Sequence, residues 1–96
     1  MKKIGAPKYY VAAKNGDAFH AWCYEHDVDP KNVTYLHERQ QILGGGYTLV
    51  CVDGFLLHPL FESLRSYQMI LERAVTIYGE SHEPIAYKGK IVGWKI

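Results

Sequence analysis

Residues 47–54 read Tyr47-Thr48-Leu49-Val50-Cys51-Val52-Asp53-Gly54. The run is apolar on both pleat faces and stops at an Asp-Gly turn. A strand with one wet face alternates apolar and polar residues. A continuous run marks a strand covered on both faces, the situation inside a parallel sheet. Further strands should lie beside this one and point the same way, with helices above and below it.

The upstream sequence supplies those partners. Lys8-Tyr9-Tyr10-Val11-Ala12-Ala13 is rich in β-formers and precedes Asn15-Gly16, so it reads as a first strand. Asn15 is placed to cap a helix whose Phe19, Trp22, Cys23 and His26 recur at spacings of three and four. That helix should end near His26-Asp27, with Asp29-Pro30 as its stop. Residues 32–37 read as a second strand, residues 39–43 as a short helix, and Gly44-Gly45-Gly46 as a break.

Downstream, Leu60, Leu64, Tyr67, Leu71, Ala74 and Tyr78 alternate spacings of four and three, with Phe61, Ile70 and Val75 widening the stripe. The pattern predicts one long helix from Pro59, suited to a first helical position, to a stop at Gly79. Residues 84–96 read as two strands around Lys88-Gly89. The expectation is a single α/β domain over residues 1–96. Its sheet should be small, three-stranded and mostly parallel, with flanking helices and a C-terminal β-hairpin extending one edge.

A chain of 96 residues holds one core and little else. The net charge of +1 gives no bulk electrostatic case for nucleic acid. Its distribution is uneven: residues 1–14 carry Lys2, Lys3, Lys8 and Lys14 and no acid, whereas residues 15–38 carry five acids against Lys31. No apolar run suggests a membrane span, and MKKIGAPKYY has no apolar segment of the signal-peptide kind. Two cysteines, Cys23 and Cys51, make no disulfide framework, so the expected compartment is a reducing cytoplasm.

In open α/β sheets, ligands settle outside the carboxyl ends of the strands. That rim would collect Lys14, Asn15 and Gly16 from the first loop, His37 and Arg39 from the second, and Asp53 and His58 from the third. Cations, imidazoles and a helix N-terminus suit a phosphate-bearing ligand or nucleotide. Leu49-Val50-Cys51-Val52-Asp53 has the form of a magnesium-binding strand end, but the GxxxxGK[ST] loop that should accompany it is absent, as is GxGxxG. No zinc-ligand spacing occurs among the histidines and cysteines, and no serine or cysteine sits in a nucleophile setting. The chain is therefore read as non-enzymatic, without metal or cofactor. The acidic first helix and exposed aromatics offer a second surface, with Tyr24, Glu25, Asp27, Asp29 and Trp94 as candidate partner contacts. The wide stripe of residues 60–78 adds a homodimer to the expectations.

Lys14-Asn15-Gly16, Asp17-Ala18-Phe19, Trp22-Cys23, Asp29-Pro30, Val33-Thr34-Tyr35, Gln40-Gln41-Ile42-Leu43-Gly44-Gly45 and Asp53-Gly54, in this order of elements, resemble small uncharacterised phage-encoded Rossmann-like α/β accessory proteins. The resemblance covers residues 8–58 and carries over no catalytic residue. It implies an accessory protein of the host cytoplasm that binds and modulates a host or defence protein. The alternative is a protein that sequesters a nucleotide or other small ligand at the rim.

Overall fold

The computed structural model describes residues 8–43, 46–79 and 81–95. Lys2, Lys3, the glycine break at Gly44-Gly45 and the predicted strand end at Ile96 lie outside them. The described residues start with β1 (Lys8–Ala12), α1 (Gly16–Glu25), β2 (Thr34–Tyr35), α2 (Arg39–Ile42) and β3 (Tyr47–Cys51). It continues with α3 (Leu64–Arg73), β4 (Ala74–Tyr78) and a hairpin of β5 (Glu83–Tyr87) and β6 (Lys90–Lys95). Short 3-10 turns fill Pro30–Asn32, Phe55–Leu57 and Pro59–Phe61.

The first four strands form one sheet in the order β2-β1-β3-β4, and every pairing is parallel. β3 runs between β1 and β4, as its unbroken apolar sequence requires. Its residues divide by face: Val50, with Val52 just beyond the strand, packs with Val11, Ala13 and α1, whereas Tyr47 and Leu49 pack with Tyr10, Ala12, Ile42 and Ile70. The chain steps from β1 outward to β2 under α1, then returns past β1 to β3 and on to β4 under α2 and α3. Crossovers of one hand that reverse direction must place their helices on opposite faces. The reversal falls between β1 and β3.

The sheet has four strands where three were expected, because the long predicted helix divides. α3 is capped by Ser63, whose Oγ accepts the Ser66 N–H (3.4 Å), and gives way to β4 at Ala74. Ala74-Val75-Thr76-Ile77-Tyr78 continues the helical spacing, but its β-branched and aromatic residues favour the pleat. The helix is also rotated relative to the predicted stripe. Ser66 and Ile70 are buried, while Leu64 is 69% exposed.

The hairpin is a second, separate sheet and does not extend the first. It lies on the α1 face, where Ile91 enters the core with Val11 and Trp22. Trp94 stacks on Tyr78 at 4.2 Å and tilts against Tyr9 at 6.2 Å. Lys88 (φ 52°) and Gly89 (φ 80°) both take positive φ, the signature of a tight hairpin turn that follows the strand twist. Among the described residues, no helix is long and apolar enough to cross a membrane.

Candidate functional site

The carboxyl ends of β1, β2 and β3 share one rim, as parallel pairing dictates. The Leu36 N–H donates to Val11 O (2.9 Å) and the Val52 N–H to Ala12 O (2.8 Å), carrying the ladder to its end. The first loop leads into α1 through Asn15, whose Oδ1 accepts the Ala18 N–H at 2.8 Å. Gly16 is the first helical residue. Lys14 is exposed and borders the Asp53-Gly54 turn: a Cβ on Gly54 would lie 3.9 Å from Lys14 Cβ and Cδ. Gly54 holds φ 84°, which lets the chain turn sharply after β3. Asp53 lines a hollow of about 250 Å³ on the β4 side and one of about 270 Å³ against α1.

His37 and His58 come together through Tyr35. Its ring stacks on His37 at 5.2 Å and meets His58 edge-on at 5.8 Å. The His58 Nδ1 accepts the Leu60 N–H at 3.0 Å and thereby caps the turn Pro59–Phe61. Burial, and then the neighbouring His37, hold the His58 imidazole below its ordinary pKa. Burial likewise raises the Tyr35 phenol. His37 is placed by the capping box of α2, in which Gln41 Oε1 accepts the N–H groups of His37 and Glu38 (both 2.9 Å). Arg39 stands exposed on the first turn of α2. The rim therefore joins Lys14 to the Asp53-Gly54 turn and His37 to His58. Tyr35, the ring between the two histidines, was legible only as a packing residue.

The second candidate surface surrounds a groove of about 820 Å³ between the end of α1 and the hairpin turn. Tyr24, Asp27 and Asp29 line it, together with His20, Cys23 and Lys88. Tyr24 is 89% exposed. Glu25 lies round the helix, on the smaller hollow that it shares with Asp53. Trp94 is half-buried against Tyr78. The Cys23 thiol is pushed up to about 11 by burial and then by the Asp29 carboxylate, and burial alone pushes Cys51 up to about 11. Both are protonated near neutrality and so poor nucleophiles.

Two local features shape this groove. α1 ends with the Val28 N–H donating to Cys23 O (2.8 Å) and the Asp27 N–H to Tyr24 O (3.3 Å). This is a Schellman motif with Asp27 (φ 56°) at the left-handed position where glycine is usual. The hairpin tip then closes on the loop that follows. The Asp29 N–H donates to Gly89 O at 2.9 Å, and Asn32 Nδ2–H to the same oxygen at 3.2 Å. The outer face of the hairpin exposes Ile85, Tyr87 and Val92. Sequence reading missed Lys88, His20 and this face, since the docking of the hairpin over α1 leaves no periodic signal.

Among the described residues, no group of three His, Cys, Asp or Glu side chains is arranged to hold a metal ion. The chain has no significant match among family models, curated proteins or solved structures.

Proposed function

We propose that the chain is a non-enzymatic binding protein that docks a protein partner on the surface formed by the end of α1 and the hairpin. The observation that carries this reading is the groove of about 820 Å³ walled by Tyr24, Asp27 and Asp29. A solvated hairpin normally turns polar residues outward. Here Ile85, Tyr87 and Val92 face solvent on the hairpin whose Lys88-Gly89 turn borders the groove. Exposed tyrosines are efficient anchors, because they bury a large rigid ring at little entropic cost. A standard interface takes about 800 Å² from each partner, which requires groove and hairpin face together.

Asp27 and Asp29 favour a basic segment of the partner, with Lys88 at the hairpin end setting its direction. The left-handed Asp27 supports the same reading, since a residue that departs from the local rule is more often kept for function than for stability. The resemblance to phage accessory proteins points to a host or defence factor as that partner.

A photo-crosslinking residue placed at Tyr24, with a control at Arg65 on the opposite face of the sheet, tests the assignment in cell extract. The expected result is one discrete adduct from position 24, lost on adding Asp27→Lys, and none from position 65. Equal adducts from both positions, or none from position 24, would overturn it.

A further inference from the structure

The rim carries a second arrangement, independent of the groove. Phe19 and Tyr35 lie 5.1 Å apart with an interplanar angle of 23°, and Tyr35 and His37 lie 5.2 Å apart at 28°. Three rings thus stack in sequence from the core to the surface. Phe19 at the inner end is buried, whereas the His37 side chain is 44% exposed. The last ring of the stack is therefore anchored from beneath and turned to solvent. His58 meets the same Tyr35 edge-on. Its Nδ1 is engaged by the Leu60 N–H, so the proton of the neutral ring sits on Nε2 and a donor remains for a ligand.

Lys14 stands at the other end of this row, beside the Asp53-Gly54 turn. Lys14 follows β1, the strand next to β2, and leans toward the turn after β3, so it stands between one and two strand spacings from the β2 loop, about 5–10 Å. A flat ring at one end and an ammonium at the other define an elongated ligand with an aromatic head and an anionic tail. The neighbouring acids limit that tail. Glu38 lies 3.8 Å from His37 Nδ1, and Asp53 stands two residues past the end of β3. With no phosphate-wrapping glycine loop in the sequence, a single lysine with an acid flanking each end of the row suits one phosphate better than a chain of them.

We propose that the rim at the β1–β3 reversal binds a nucleoside monophosphate, with its base stacked on His37 and its phosphate on Lys14. Stacking on an aromatic face is tolerant of base identity, so the site selects the ligand's architecture before its sequence letter.

The imidazole Cε1–H signals of the intact chain report on the site. They are followed by NMR while 5′-AMP, 5′-GMP, 5′-CMP and 5′-UMP are added in turn, with adenosine and inorganic phosphate as separate probes. Saturable shifts of His37 and His58 are expected with at least one nucleotide, and roughly tenfold weaker binding of adenosine or phosphate alone. His37→Ala and Lys14→Ala should each weaken the nucleotide roughly tenfold. Both positions are exposed, and a circular-dichroism melt of each variant confirms folding. No saturable shift with any of the four nucleotides at millimolar concentration overturns the proposal. So does binding undiminished in both folded variants. Tyr24→Ala lies outside the rim and should leave the titration unchanged, so failure here and failure of the partner surface are told apart.

Discussion

His58 couples the rim to pH. Its Nδ1 accepts the Leu60 N–H, and a protonated Nδ1 cannot accept. Burial and the His37 imidazole depress its folded pKa below the unfolded value near 6.5. The unfolded chain therefore binds more protons than the folded one as pH falls through that value. The stability that His58 contributes is present above about 6.5 and is lost as pH drops toward its folded pKa. The groups facing His58 are His37 with its partner Glu38, and the phenol of Tyr35. His58→Asn keeps an acceptor for the cap and removes the titration. The variant should show a shallower fall of the urea midpoint between pH 7 and pH 5 than the parent chain. At the end of α1, Asp27→Gly relieves a left-handed side chain and should stabilise the fold by up to about 1 kcal/mol. The same substitution should weaken the Tyr24 crosslink, giving a more stable but poorer binder.

The elements differ in how far their sequences announce them. The cap of α1 was readable because it is local chemistry. Asn15 holds the Ala18 N–H, as a short polar side chain before a helical turn should. The α1 face was readable because Phe19, Trp22 and Cys23 repeat at the helical period and are all buried. α3 misled because its spacing runs on through β4 without a break. Periodicity cannot see that Ala74–Tyr78 finds an open edge of β3 to pair with, a tertiary event that overrides local pattern. Nor could it fix the rotation of α3, which buries the small Ser66 along with Ile70 and leaves Leu64 outside. The two faces make a direct comparison. Ile70→Ala removes a fully buried side chain and should cost about 2–5 kcal/mol in chemical denaturation. Leu64→Ala, on the solvent side, should change stability by no more than about 0.5 kcal/mol.

At the scale of the whole molecule, the parallel order followed from Tyr47–Cys51 alone, since only a strand covered on both sides tolerates such a run. The candidate rim was legible for the same reason: once the strands are parallel, their following loops must share one end. The partnership of His37 with His58 was not, because Tyr35 brings them together from β2. The groove was legible as residues but not as a shape, because the hairpin could have paired at the sheet edge. What fixes it over α1 is Gly89, whose carbonyl oxygen accepts from both Asp29 and Asn32. Gly89→Ala would place a Cβ 2.7 Å from Asp29 Cβ at a φ of 80°. It should destabilise the chain by about 1–3 kcal/mol in urea and abolish the crosslink from position 24. The same clasp alters how the molecule meets a protease. The tip of a surface hairpin is ordinarily the first place to be nicked, and Lys88 offers trypsin a cleavable bond there. With Gly89 pinned at its carbonyl, that bond should resist digestion until the domain opens, so the rate of cutting after Lys88 becomes a gauge of global unfolding.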